Sequence, residues 1–190
     1  MYYHASPIGG LEFLEPRISN HGIPLLYFSN KRENTLVYLC NAIEKYCIET
    51  GFTYDKPFTK WGPYGFNDDG RLRLEEYYPN ATQTTYSRVP GYIYGVESIP
   101  QRGVDVNIPG VITSTSPVLV KTVEFIPDAY QEILKAEEDG LITIQRYEDA
   151  SEKMLTWIEK TIKREYLVSE ENPEYRHFLL GHFPESLIAK

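Results

Sequence analysis

The amino-acid sequence predicts an α+β fold, with strands concentrated in its first 130 residues and helices mainly after them. Short runs of aromatic and branched residues, bounded by Gly, Pro, Ser or Asn, recur through the first part and are typical of strands. From Asp128 onward the chain is more charged, and its apolar residues recur at helical spacing. With 190 residues, 42% of them hydrophobic, the chain is long enough for one domain with a sizeable core.

The first two predicted strands are residues 3–6, with the sequence Tyr-His-Ala-Ser, and residues 25–29, with the sequence Leu-Leu-Tyr-Phe-Ser. Both runs are brief, apolar or aromatic, and bounded by turn-forming residues. Residues 7–24, between them, are rich in Gly, Pro, Ser and Asn. We expect this stretch to be a loop with one short strand or turn.

A helix is predicted after the second strand. Asn30, followed three residues later by Glu33, is an asparagine-led variant of the capping box. Apolar residues recur at helical spacing over 36–48, and Gly51 ends the run. Tyr38 lies away from the centre of this apolar stripe, so its ring is better placed for a cleft than for the core.

The two cysteines, Cys40 and Cys47, lie seven residues apart on that predicted helix. Helix rise separates them by about 10 Å, which is too far for a disulfide. We expect them to be small core residues or free thiols. No further cysteine is present, and His177 and His182 are five residues apart and so do not share a helical face. A metal site is therefore not expected.

Further elements follow along the chain. The turn 67–70, Asn-Asp-Asp-Gly, is typical of a hairpin that joins two short strands. Two more strands are predicted at 90–99 and 118–125, and two helices at 129–138 and 147–166.

Charge and hydropathy exclude some classes of function. The formal net charge of −8 does not suit a general nucleic-acid binder, which needs a basic surface to neutralise phosphates. The sequence shows neither a signal peptide nor about 18 consecutive apolar residues. We therefore expect a soluble, cytoplasmic protein.

The first 38 residues resemble the nicotinamide-binding half of ADP-ribosyltransferases of the histidine-tyrosine-glutamate class, which includes the poly(ADP-ribose) polymerases. In that family a His-Gly-Ser-like strand supplies a histidine, a Tyr-Phe-Ala/Ser strand supplies a tyrosine, and a second tyrosine follows one helix-length later. His4, Tyr27 and Tyr38 stand at the matching positions. The eleven-residue spacing of the two tyrosines is the most specific part of the match.

The resemblance implies NAD as a substrate, held by a histidine that orients ribose hydroxyls and by two tyrosines that stack on nicotinamide. It implies a split, mostly antiparallel sheet around a cleft in residues 1–130, and a helical extension in residues 131–190 packed on that core. The candidate cofactor contacts are His4, Ser6, Arg17, Ser19, His21, Tyr27, Ser29 and Tyr38.

One part of the family pattern is missing. The family's catalytic glutamate stands just before the final strand, where this chain has residues 114–117, Ser-Thr-Ser-Pro. A serine cannot supply the carboxylate charge that stabilises a cation-like ribose. Glu97 and Glu124 are the nearest carboxylates on predicted strands, and they are the candidate catalytic residues if strand register brings one into the cleft.

Several functions remain open at this point. The first is transfer of ADP-ribose from NAD to an unknown macromolecular acceptor, with release of nicotinamide. A second is a non-catalytic module that binds NAD, ADP-ribose or an ADP-ribosylated partner, and a third is a protein-interaction scaffold that keeps only the fold. A similar fold also removes 2′-phosphates from RNA in an NAD-dependent reaction, but that substrate suits a basic site. Structurally, Tyr27, Tyr38 and His4 are also compatible with ordinary core residues.

Overall fold

The computed structural model describes residues 1–18 and 22–188 and confirms an α+β fold with antiparallel sheets. Ser19 and His21, two of the candidate contacts, lie outside the described residues. The strands are β1 (Tyr2–Ser6), β2 (Phe13–Leu14), β3 (Arg17–Ile18), β4 (Pro24–Ser29), β5 (Tyr64–Phe66), β6 (Leu72–Glu75), β7 (Gly91–Val96), β8 (Val111–Ser114), β9 (Val118–Leu119), β10 (Thr122–Ile126) and β11 (Ile142–Gln145). The helices are α1 (Ala42–Thr50), α2 (Ala81–Tyr86), α3 (Ala129–Glu138), α4 (Glu152–Val168), α5 (Pro173–His182) and α6 (Pro184–Leu187), with 3-10 helices at Glu33–Tyr38 and Tyr147–Asp149.

The largest sheet has six strands. Five of them lie in the order β10-β7-β1-β4-β3, and the sixth, β8, pairs with residues 26–29 of β4. The pairs are antiparallel. β1 and β4 are the two strands predicted at the N-terminus, and they lie side by side in the middle of the sheet. Smaller sheets pair β11-β6-β5 and β2-β9.

The chain folds as two compact units, and their boundaries differ from the expected division at residue 130. The first unit comprises Met1–Leu39, Phe66–Leu72 and Ser87–Thr143. The second comprises Cys40–Gly65, Arg73–Tyr86 and the chain from Ile144 onward. Helix α3, which was expected in a C-terminal extension, therefore belongs to the unit that contains β1 and β4.

Each unit has its own core of apolar side chains. In the first unit, one face of the sheet packs through Leu14, Leu26, Phe28, Tyr94, Val96 and Val118. In the second unit, α1 and α5 pack together with a large aromatic cluster that includes Trp61, Tyr77, Tyr78, Tyr175 and Phe178. Cys40 and Cys47 are both buried free thiols, in agreement with the sequence prediction.

One continuous helix was predicted after β4, and this prediction is wrong. The chain forms a 3-10 helix at Glu33–Tyr38, and α1 begins only at Ala42. Leu39 separates the two helices, because its φ of −87° and ψ of 63° lie outside the helical region. The predicted end is confirmed: Gly51 closes α1 in the left-handed conformation, with φ of 70°.

The predicted capping box is also wrong. Arg32 occupies the N-cap position, and Glu33 is the first residue of the 3-10 helix rather than its third. The backbone N–H of Asn30 instead donates to the carbonyl oxygen of Gly110 at 2.9 Å. A contact between segments distant in sequence has replaced the local cap, and local spacing cannot reveal such a contact.

The strand predicted at 118–125 is two strands with different partners. β9 pairs with β2, and β10 pairs with β7. Between them, the N–H of Val120 donates to Glu12 O at 3.0 Å, and the N–H of Lys121 donates to Gly95 O at 2.9 Å. The segment thus passes from the small β2-β9 sheet to the edge of the six-stranded sheet within two residues. Strand β11 was not predicted.

The predicted hairpin turn is present between β5 and β6. The N–H of Asn67 donates to Arg71 O at 2.9 Å, and the N–H of Gly70 donates to Asn67 O at 2.9 Å. Gly70 has φ of 74°, a conformation that favours glycine. In the part of the chain that the structure describes, every helix is too short or too polar to cross a membrane.

Candidate functional site

β1 and β4 separate soon after they meet, and the cleft lies between them. Tyr3 and Ser29 are register partners across the two strands. At the next position the side chain of His4 reaches across, with Nδ1 2.9 Å from the carbonyl oxygen of Tyr27. A side-chain hydrogen bond therefore joins the strands where they begin to diverge.

The cleft has a volume of about 590 Å³. It is lined from β1 by residues 4–6, from β4 by residues 25–27, and from the intervening chain by Pro7 and several positions between 11 and 17. This volume is within the range of about 300–1,000 Å³ that is typical of small-molecule sites. Four of the sequence-predicted contacts, His4, Ser6, Arg17 and Tyr27, line this one cleft.

The imidazole of His4 is held neutral and in one orientation. Burial lowers the pKa of His4 below its ordinary value; the bond to the Tyr27 carbonyl opposes this shift, and the positive charge of Arg17 adds to it. A carbonyl oxygen can only accept, so Nδ1 carries the proton in this bond. The other ring nitrogen, Nε2, is then a hydrogen-bond acceptor. The neutral ring is suited to bind a hydroxyl group of a ligand.

Ser6 ends β1 at the mouth of the cleft. Its Oγ accepts a hydrogen bond from the N–H of Ile8 at 3.1 Å, which leaves the hydroxyl hydrogen as a donor. The loop that follows is held by Tyr94, whose hydroxyl donates to Ile8 O at 2.7 Å and accepts from the N–H of Leu11 at 3.4 Å. Tyr94 is completely buried. The loop wall of the cleft is thus anchored to the centre of the sheet.

Arg17 and Tyr27 also line the cleft, Arg17 with a positive charge and Tyr27 with the carbonyl oxygen that bonds to His4. Arg17 lies on β3 and pairs in register with Leu25 on β4, and its side chain is exposed. Tyr27 is half-buried on β4. A guanidinium can bind a phosphate through two donors, and a tyrosine ring can stack on a flat heterocycle.

Ser29 and Tyr38 lie outside the described lining of this cleft. Ser29 is buried at the closed end of the split, where its Oγ accepts from the N–H of Lys31 at 3.0 Å. Tyr38 is the last residue of the 3-10 helix, and 40% of its surface is exposed. Of the two tyrosines in the expected clamp, the structure therefore places Tyr27 in the cleft wall.

Glu97 follows β7 directly and is well exposed, 3.5 Å from Lys121 Nζ. In register, Tyr94 pairs with His4, so Glu97 lies three residues, or about 10 Å, further along the strand. Glu124 lies on β10 and pairs with Ile93, which in turn pairs with Ala5. Because paired residues share a face and neighbours alternate, Glu124 lies on the sheet face opposite to His4.

In segment 114–117 the hydroxyl group of Ser114 is already engaged. Ser114 is completely buried, and its Oγ lies 3.0 Å from Gln101 O, 2.8 Å from Ser116 O and 3.2 Å from Ser116 N. Thr113 Oγ1, one residue earlier, donates to Val104 O at 2.7 Å. These bonds hold the turns between strands.

A carboxylate that sequence reasoning missed does line the cleft: Glu15, in the chain between β2 and β3. No local signal marked it, because Phe13 and Leu14 are both apolar in the sequence; only in the structure is Leu14 buried with its neighbours exposed. The pairing of β2 with β9, which sets the position of Glu15, is likewise seen only in the structure.

Comparison of this chain with protein-family models, curated proteins and solved structures finds no match. Among residues 1–18 and 22–188, no group of three or more His, Cys, Asp or Glu side chains is arranged to hold a metal ion. The chemistry of the cleft is therefore inferred from its own residues.

Proposed function

We propose that the cleft between β1 and β4 binds NAD, and that the protein transfers ADP-ribose from it to an acceptor with release of nicotinamide. The observation that carries the proposal is the bond from His4 to the carbonyl of Tyr27, at the point where the two strands diverge. Four of the residues expected at such a site, His4, Ser6, Arg17 and Tyr27, line this cleft. The proposal includes a fold like that of the ADP-ribosyltransferases.

Each cleft residue is suited to a different part of NAD. His4 Nε2 accepts a hydrogen bond from a ribose hydroxyl, and the Ser6 hydroxyl donates one to a nearby ligand oxygen. The ring of Tyr27 stacks on the flat nicotinamide, a contact worth about 0.5–1.5 kcal/mol beyond burial of area. Arg17 binds the pyrophosphate through its guanidinium.

The reaction breaks the bond between the ribose anomeric carbon and the ring nitrogen of nicotinamide. The bonding electrons leave with nicotinamide, which becomes neutral, and positive charge develops on the ribose. A hydroxyl group of the acceptor, or water, forms the new bond to the anomeric carbon and loses its proton to solvent. Stabilising that charge requires fixed negative groups nearby.

A second candidate function is binding of NAD or ADP-ribose without turnover. Two observations favour it: the family's glutamate position is occupied by segment 114–117, and both Glu97 and Glu124 lie in ion pairs. The two functions differ in a single measurable outcome, which is the release of nicotinamide.

Calorimetric titration with NAD tests the proposal, with nicotinamide release followed in the same samples. We expect Tyr27→Ala to weaken NAD binding by about 2- to 13-fold, the equivalent of one lost aromatic contact. The matched control is Tyr130→Ala, a half-buried tyrosine on α3 outside the described cleft lining. Tyr38→Ala shows whether the second tyrosine also contributes.

The outcomes separate the functions. Binding with nicotinamide release supports the transferase, and binding without release supports the binding module. If the wild-type protein does not bind NAD at millimolar concentration, both are wrong, and a protein-interaction role becomes the better explanation.

A further inference from the structure

We propose that Glu15 is the catalytic carboxylate of this cleft, acting on the ribose carbon as nicotinamide leaves. The inference rests on the proposed function and deepens it, because it names the group that supplies the negative charge. Glu15 follows β2. The family resemblance indicates a different position, just before the final strand.

Strand register brings Glu15 close to the segment where the resemblance expects a glutamate. On the β2-β9 pair, Phe13 is opposite Leu119 and Leu14 is opposite Val118. Continuing this antiparallel register by one residue places Glu15 opposite Pro117, the last residue of segment 114–117. Neighbouring strands are about 5 Å apart. The carboxylate absent from segment 114–117 is thus present just after β2, beside that segment.

Glu15 also faces the correct space. Leu14 is buried in the core of the first unit, and Phe13 and Glu15 are exposed on either side of it. Phe13 and Glu15 both line the cleft, as does Leu14 between them. Among the lining residues that the structure describes, Glu15 is the single carboxylate.

The carboxylate of Glu15 is not committed elsewhere. Within residues 1–18 and 22–188 it forms no ion pair or hydrogen bond, in contrast to Glu124, which receives two hydrogen bonds from Arg32. Glu97 lies against Lys121 beyond the end of β7. A catalytic carboxylate must be able to interact with charge that develops during the reaction, and of these three Glu15 has both the position and the freedom.

The charges that line the cleft match the polarity of NAD. Nicotinamide ribose becomes positive as the glycosidic bond breaks, and the pyrophosphate is negative throughout. Glu15 and Arg17, two residues apart, present one negative and one positive group to the same cleft. Glu15 stabilises the ribose cation in the manner of the carboxylates of glycoside hydrolases, while Arg17 binds the pyrophosphate.

The test compares Glu15→Gln with Glu12→Gln. Both variants replace an exposed carboxylate by the isosteric amide, but Glu12 lies outside the described cleft lining. We measure NAD affinity by calorimetry. We also measure the rate of NAD hydrolysis, in which NAD and water give ADP-ribose, nicotinamide and a proton. Glu15→Gln is expected to slow nicotinamide release by about 10²- to 10³-fold with NAD affinity changed less than about 3-fold. Glu12→Gln is expected to leave both unchanged.

Different results identify what has failed. Unchanged release in Glu15→Gln overturns the role of Glu15 and leaves NAD binding and transfer intact. Wild-type protein that binds NAD without releasing nicotinamide overturns a catalytic Glu15 in favour of the binding module. Wild-type protein that does not bind NAD overturns the proposed function, and Glu15 with it. Circular dichroism of both variants shows that a slower rate is not caused by loss of fold.

Discussion

Arg32 and Glu124 form a two-point ion pair, with Nε 2.8 Å from Oε2 and Nη2 2.6 Å from Oε1. The same Nη2 also donates to Glu132 Oε2 at 2.9 Å. One guanidinium therefore joins the start of the 3-10 helix to β10 and α3 within the first unit. The role of Glu124 in this structure is to hold these elements together.

Glu124→Gln is expected to lower the free energy of unfolding by about 0.5–1 kcal/mol, a small amount because the carboxylate is half-exposed. Hydrogen bonding to Arg32 holds the pKa of Glu124 below its usual 4.5. The stabilisation is therefore present above pH 4.5 and is lost as the pH falls through the lowered folded-state pKa. Urea unfolding at pH 7 and at successively lower pH measures it.

The control is Glu97→Gln, in which the removed carboxylate is more exposed and its 3.5 Å ion pair with Lys121 is looser. This variant is expected to match wild-type stability. An equal loss of stability in both variants would show that net charge, rather than the Arg32 pair, is responsible.

NAD affinity is expected to depend on pH through His4. Burial lowers the pKa of His4 below 6.5, so the ring is neutral and Nε2 accepts a hydrogen bond at pH 7. Below the lowered pKa both ring nitrogens carry protons, and the acceptor is lost. Calorimetry should therefore give a constant Kd from pH 7 to 8 and weaker binding under acidic conditions.

In His4→Ala, binding should be weaker at pH 7 and its acid dependence should be lost. Protonation of His4 also favours the unfolded chain as the pH falls below 6.5, because the folded-state pKa is the lower one. Circular dichroism at each pH separates this loss of stability from loss of binding. An acid dependence that persists in His4→Ala would contradict the assignment.

Tyr94→Phe tests whether the loop at the mouth of the cleft must be anchored. The buried hydroxyl of Tyr94 bonds to both Ile8 and Leu11, so its removal leaves two backbone groups without this partner. We expect a loss of about 0.5–1.5 kcal/mol in the free energy of unfolding and a few-fold weaker NAD binding. Tyr130→Phe, at a half-buried tyrosine on α3 outside the described cleft lining, is the control.

Thr59→Val tests a buried carboxylate in the second unit. Glu174 is completely buried at the start of α5, and its Oε1 accepts from Thr59 Oγ1 at 2.7 Å and from Thr59 N at 3.3 Å. Valine keeps the shape but removes the hydroxyl donor. We expect a loss of about 1–3 kcal/mol by urea unfolding, since a buried acceptor loses a hydrogen-bond donor. Thr53→Val, at an exposed position, should have little effect.

The sequence predicted the elements whose formation depends on local pattern. β1, β4, β7, α3 and the end of α1 at Gly51 follow from short apolar or aromatic runs bounded by turn-forming residues, from helical spacing and from glycine conformation. The missing cap at Asn30 and the two partners of segment 118–125 depend on pairing between distant segments: Asn30 bonds to Gly110, β9 pairs with β2, and β10 pairs with β7. No window of adjacent residues contains that information.

In the candidate site, too, some positions were predictable from local pattern and others depend on pairing between distant strands. Two predicted strands and the family resemblance led us to expect His4 and Tyr27 at one cleft; in the structure both line it, and His4 Nδ1 contacts the Tyr27 backbone carbonyl. The position of Glu15 depends on the β2-β9 register, which two-residue strands do not reveal in sequence. The placement of Glu124 on the opposite face to His4 depends equally on register across three strands.

The division into two units has a consequence for how this protein can be dissected. The unit that contains the cleft is assembled from three separate stretches of chain, and the other unit supplies the stretches between them. Truncation after residue 130 therefore removes β11 and the α5 side of the second core while retaining α1, its packing partner. No single continuous gene fragment encodes only the unit that contains the cleft. Recombination that exchanges whole domains must move this pair of units together.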